Sequence, residues 1–140
     1  MVHEDTLKII DTIPDSTTVA NTLKKALAPF TAEVCCAFLF GSYACGEADQ
    51  WSDIDVGIYF ADDVDDEGRN RIRFAVMDAV APLEAQIAYL DSASLSPSVF
   101  FSAVSGIPLM MNDEDACFEQ LMKYIHLNEE MRLHGFCEED

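Results

Sequence analysis

Apolar and polar positions divide this chain into segments of two periods. Glu33 to Phe40 is a nearly unbroken apolar run bounded by polar residues and glycine, the pattern of a strand covered on both faces or nearly so. Before it, Val19, Leu23, Ala26 and Leu27 recur at helical spacing behind Asp15 and Ser16, either of which can cap a helix running to about Pro29. Asp53 to Phe60 predicts a second strand, with Ile54, Val56 and Ile58 on one face and Asp53, Asp55, Gly57 and Tyr59 on the other. The acidic cluster Asp62 to Glu67 then favours the positive end of a helix dipole, and Arg71, Phe74, Ala75, Met77, Asp78 and Val80 carry that helix to Pro82.

Glu84 to Asp91 predicts a third strand, in which Ala85, Ile87 and Tyr89 oppose Gln86, Ala88 and Leu90. Pro97 lies in a helix start over Ser94 to Ser98, and Val99, Phe100, Ala103 and Val104 give one or two turns before Gly106 ends it. Pro108 to Met111 predicts a short edge strand. From Asn112 or Asp113 onward, Cys117, Phe118, Leu121, Met122 and Ile125 mark a longer amphipathic helix. Leu7, Ile9, Ile10 and Ile13 form an apolar segment, interrupted by Pro14, that is too brief to classify. With no repeat and no linker, residues 1–140 read as one α/β (α+β) domain. A small mixed sheet flanked by helices forms a core from about residue 16 to 111, and a helical extension spans about 112 to 136.

Composition narrows the classes. Half of the residues are apolar, enough for a packed core. No apolar run reaches the ~18 residues of a membrane span, and Met1 to Asp5 lacks the order of a signal peptide, so a cytoplasmic, soluble protein is expected. Five cysteines without a CxxC pair are expected to be reduced, with Cys35 and Cys36 acting as small hydrophobes in a strand. The 26 acids against 8 bases give a net charge of −18, a field that repels phosphate backbones and argues against direct nucleic-acid binding. It suits a basic protein partner, and equally serves solubility.

The chemistry concentrates between Phe40 and Val56. An apolar strand ends in Gly41-Ser42, ten residues follow, and the next strand opens with Asp53 and Asp55 on one face. Two carboxylates side by side repel unless a cation joins them, and hard oxygen ligands suit Mg2+. Gly41 permits close backbone approach to a phosphate, and Ser42 offers its hydroxyl. The histidines His3, His126 and His134 lie away from this stretch, in no metal-type or Ser-His-Asp spacing.

Gly41-Ser42 followed by Asp53-Ile54-Asp55, with Phe38-Leu39-Phe40 before it and Leu90-Asp91-Ser92-Ala93-Ser94 and Gly106-Ile107-Pro108-Leu109 after it, resembles the minimal nucleotidyltransferases of the polymerase-β-like superfamily. The similarity runs from about Val19 to Met111. The resemblance implies a nucleotidyltransferase-type fold with a C-terminal helix, a nucleoside triphosphate substrate held at Gly41 and Ser42, and Mg2+ held by Asp53 and Asp55. The C-terminal helix, with Tyr124 in its middle, resembles the extension of members that act as antitoxins beside HEPN-type toxins. For those it implies transfer of AMP from ATP to a tyrosine of the toxin.

Two positions depart from the family pattern. Gln86 stands where a third carboxylate is usual, so the acidic role is either vacant or taken by Glu84, two residues earlier on the same strand face. Cys45 stands where a basic residue is frequent; Arg69, Arg71 and Arg73 either supply charge from outside the loop or pair with the Asp62 to Glu67 cluster. Tyr43 and Trp51 either stack on a base or pack locally. The expected function is therefore a Mg-dependent protein adenylyltransferase with catalytic Asp53, Asp55 and Glu84. The alternative is a degenerate relative that neutralises its partner by binding, and transfer to a small molecule is a weaker third reading.

Overall fold

The computed structural model describes residues 13–127. The apolar segment at Leu7 to Ile10, His3, His134, Cys137 and the last part of the expected C-terminal helix lie outside the described residues. Helix α1 spans Ser16–Leu27 and is capped by Asp15, whose carboxylate accepts from the Thr18 backbone N–H at 2.8 Å. A 3-10 turn, Ala28–Phe30, ends it at Pro29. Strand β1, Val34–Phe40, leads into a one-turn helix α2, Ser42–Cys45, and strand β2 covers Ile54–Phe60. Helix α3, Asp66–Val80, starts at Asp65, which accepts from the Gly68 N–H at 2.8 Å and carries Asp66 and Glu67 in its first turn. Strand β3 is Ala85–Tyr89, helix α4 is Pro97–Val104 behind an N-cap at Ser96, strand β4 is Ile107–Met111, and helix α5 is Glu114–Leu127.

The sheet runs in the order β3-β2-β1-β4, with β1 antiparallel to both β2 and β4 and β2 parallel to β3. The parallel pair needs a crossover, which α3 supplies. The two-residue period decides which side chains go to which face. Ile54, Val56, Ile58 and Phe60 point to one side, where they bury Val19, Leu23 and Leu27 of α1 and Ile72 and Val76 of α3. On the other side Cys36, Phe38 and Leu90 meet Phe100 and Phe101 of α4 and Tyr124 of α5. Burying one such aliphatic or aromatic side chain contributes about 1.5–3 kcal/mol relative to exposure. Tyr124 stacks on Phe100 with ring centroids 4.0 Å apart and donates its hydroxyl to the Leu95 carbonyl at 3.2 Å.

Among the described residues the sequence expectations for the elements hold, with boundaries moved by a residue or two, and β4 is an outer strand as expected. The cysteine expectation does not hold. Cys36 and Cys117 form a disulfide between β1 and α5, 81 residues apart in sequence, and Cys45 is also disulfide-bonded. The reason is positional: Cys36 faces the α4/α5 side of the sheet, and the first turn of α5 crosses above it. Cys35 does stay a buried free thiol, its pKa raised mainly by burial.

Candidate active site

Strand pairing brings the motif together. Phe40 lies opposite Asp55 in the antiparallel β1–β2 register, so the end of β1 delivers Gly41 and Ser42 beside the start of β2. Asp55 is in turn aligned with Gln86 in the parallel β2–β3 register. Three separate stretches therefore meet at one end of the sheet, and the carboxylates lie on the face opposite α1 and α3, as the alternation of β2 requires.

Gly41 has φ 78 and ψ −159, a region that only glycine enters readily. A Cβ at this position would run into Asp55, 3.1 Å from its Cγ and closer still to its Oδ2. Glycine is thus what lets the turn lie against the carboxylate. Ser42 heads the one-turn helix, whose Ala44 and Cys45 amides both donate to the Gly41 carbonyl at 3.1 Å. Farther along the loop, Asp49 accepts from Trp51 N at 2.9 Å and from the Ser52 hydroxyl at 3.1 Å, and its own N–H donates to Ser52 Oγ at 3.0 Å. These bonds fix the approach to Asp53.

The electrostatics follow from the crowding. Burial, with the neighbouring Asp53 charge adding to it, raises the Asp55 carboxyl above the usual range. Gln86 donates from Nε2 to Asp53 Oδ2 at 2.9 Å, so an amide, not a third carboxylate, completes the group. Glu84 precedes β3, is exposed, and uses its backbone carbonyl to accept from Ile54 N at 2.8 Å. Among the described residues no three acidic, histidine or cysteine side chains gather as a metal-binding cluster, so Glu84 is not drawn in with Asp53 and Asp55. Two carboxylates that repel one another nevertheless fit a Mg2+ ion, which keeps several waters and takes only one or two carboxylates together with substrate phosphates.

Other positions sort as follows. Tyr43 is buried and packs into the main core, its phenol pKa raised mainly by burial, whereas Trp51 is 80% exposed. Arg69 pairs with Asp91 at 2.6 Å, not with the Asp62 to Glu67 cluster, and its guanidinium lies 4.7 Å above the Phe60 ring. The sequence showed that Gln86 is neutral but not that it binds Asp53; the signal, a register across a helical crossover, is legible only once β2 and β3 are aligned.

The polymerase β nucleotidyltransferase family model matches residues 21–115. The chain belongs to this family. Among solved structures, this family member is similar to a chain of a toxin–antitoxin crystal structure with AMP-PNP, at 25% identity and TM-score 0.59, covering 79% of this chain and 90% of that one. A second likeness is to a point mutant of an MntA toxin–antitoxin complex, at 26% identity and TM-score 0.56, over 79% of this chain and 89% of that one. A third, at 22% identity and TM-score 0.55 over 82% and 91%, is a complex of a tri-AMPylated HEPN toxin with an MNT antitoxin from Shewanella oneidensis, and it speaks for the fold alone. No curated protein matches the chain significantly. Among the described residues no helix is long and apolar enough to cross a membrane.

Proposed function

We propose that this family member transfers AMP from ATP, with Mg2+, to a tyrosine of a HEPN-type toxin and so acts as its antitoxin. The observation that carries the reading is the meeting of Gly41-Ser42 with Asp53 and Asp55 through the β1–β2 register. The likeness to a chain of a toxin–antitoxin complex with AMP-PNP, at 25% identity, supports the choice of nucleotide and partner. Gly41 and Ser42 hold the phosphates, and Asp53 and Asp55 hold the metal. When bound, the metal supplies positive charge against the phosphate oxygens.

The reaction forms a bond from the tyrosine oxygen to the α-phosphorus of ATP and breaks the bond between that phosphorus and the oxygen bridging to the β-phosphate. Pyrophosphate leaves with the electron pair, and the phenolic proton passes to water or to a carboxylate. The Gln86 amide cannot take that proton. Glu84 is the candidate base, and it serves only if the start of β3 reorients.

Incubating the chain with ATP, Mg2+ and a HEPN-type toxin tests the reading. Mass spectrometry should find AMP on a toxin tyrosine, and Asp53→Asn should remove it. Absence of AMP with the wild-type chain sinks the transfer. A second reading, neutralisation by binding alone, is favoured by Gln86 occupying Asp53 in place of an acid. It requires toxin inhibition that persists without ATP and in Asp53→Asn.

A further inference from the structure

Among the described residues, β3 is an outer strand with only β2 beside it. Its ladder to β2 runs through even-numbered positions, as the Ile54 N–H donating to Glu84 O and the Leu90 N–H donating to Ile58 O show, both at 2.8 Å. In a parallel pair the alternate residues turn their main-chain groups the other way, so the N–H and C=O of Ala85 and Ile87 face outward. Along this edge runs a cavity of about 590 Å³, walled by Arg73 and Met77 of α3 on one side and Ser92, Ser94 and Leu95 on the other.

The charge in this cavity is the reverse of the chain's. Among the described residues no acidic side chain lines it and Arg73 is its one base, whereas the chain carries −18 overall. Arg69, one turn earlier on α3, is held by Asp91. Arg73 has no carboxylate partner among the described residues: its Nε is buried without a hydrogen-bond partner, and Nη2 makes only a long 3.4 Å bond to the Asn70 side chain. An unsatisfied buried guanidinium nitrogen is costly, and a carboxylate is its natural complement. The cavity also includes Gln86, which binds Asp53, so it borders the candidate active site.

We propose that the open edge of β3 receives the acceptor as an extended peptide segment. That segment pairs with the main chain at Ala85 and Ile87, places an acidic side chain on Arg73, and brings its hydroxyl-bearing residue beside Gln86. Strand addition supplies affinity through main-chain bonds, and the Arg73 contact supplies selectivity. The proposal rests on the nucleotidyl-transfer reading for the acceptor's fate, though not for its binding.

The probe is a pair of synthetic peptides of about ten residues, each alternating valine and threonine around one tyrosine. They differ only in carrying glutamate or lysine next to the tyrosine, because Arg73 lies on the α3 face of the sheet and Gln86 on the opposite one, and adjacent residues of an added strand point to opposite faces. Fluorescence anisotropy with the full chain should show the glutamate peptide binding about tenfold tighter, the scale of one charge-assisted contact. Arg73→Glu should reverse that order, and N-methylation of alternate peptide nitrogens should abolish binding. Equal affinity for the two peptides, no binding at about 1 mM, an unchanged order in Arg73→Glu, or indifference to N-methylation overturns the proposal. So does loss of ATP affinity in Arg73→Glu with peptide preference intact, which assigns the guanidinium to the triphosphate. If the peptide preferences follow the proposal but ATP and Mg2+ yield no AMP-peptide, the groove stands and the transfer reading fails.

Discussion

Replacing Gly41 with alanine tests how the site is built. Two penalties add at this position. Holding a non-glycine residue at φ 78 and ψ −159 costs on the order of 1–3 kcal/mol. The new Cβ must also push Asp55 aside, because the carboxylate Cγ lies only 3.1 Å away, and overpacking of this kind adds about 1 kcal/mol or more. Gly46 is the internal control: its φ is 74, but no atom lies within 4 Å of a Cβ there, so alanine costs only about 1 kcal/mol. For a chain of 140 residues each kcal/mol moves the melting temperature by about 3–4 °C. Differential scanning calorimetry in EDTA should therefore show Gly41→Ala melting about 6–16 °C lower and Gly46→Ala about 3–4 °C lower. Titration with ATP and Mg2+ should show roughly a tenfold or greater loss of affinity for Gly41→Ala alone, since only there does Asp55 move. Equal melting of the two alanine variants, or wild-type nucleotide affinity in Gly41→Ala, refutes the idea that glycine packing on Asp55 sets the site.

Other perturbations probe charge, hydrogen bonding and cross-linking. Because the folded-state pKa of Asp55 lies above its unfolded value, its ionisation weakens the metal-free fold as pH rises through the carboxylate range; Asp55→Asn should melt higher than wild type in EDTA near about pH 7, and the difference should vanish at acid pH, where both are neutral. Gln86→Asp places a like charge near Asp53, so metal-free stability should drop by about 1 kcal/mol and recover on adding Mn2+, read by thermal melts with and without the ion. Asp91 accepts from Arg69 and from Phe60 N, so Arg69→Ala should cost about 1.5–3 kcal/mol in urea unfolding, much of it absent when Asp91→Asn is already present. Cys117→Ser, which opens the Cys36–Cys117 bridge between positions 81 apart in sequence and leaves the Cys45 disulfide in place, should lower stability by up to about 4 kcal/mol, measured by urea melts beside wild type.

The features legible from sequence were those written in local periods. The apolar run of β1, the shared face of Asp53 and Asp55, the cap at Asp15 and the acidic start of α3 all depend on residues within a few positions of one another. Three features were not legible. The Gln86–Asp53 bond depends on a parallel register reached through α3, the Cys36–Cys117 bridge on how α5 crosses the sheet, and the Arg69–Asp91 pair on where β3 ends. In the last case a nearer acidic cluster competed for the same arginine, and aromatic stacking on Phe60 and Tyr89 turned the guanidinium toward Asp91. Spacing alone leaves the third acidic role vacant or filled by Glu84, and only the aligned strands reveal an amide hydrogen-bonded there.

The two outer strands of the sheet differ in how they treat strangers. β4 carries Pro108, which has no N–H to offer a neighbouring strand, while β3 contains neither proline nor lysine, the residues that usually blunt an edge. Unprotected edges invite copies of the same chain to polymerise. Here the deterrent is long-range: two molecules at −18 each repel before their edges touch. That safeguard is only as strong as the solvent allows, because at about 1 M salt the Debye length shrinks to ~3 Å. On charge alone, pairing of β3 with a second copy is opposed at ordinary ionic strength, and that opposition fades in brine.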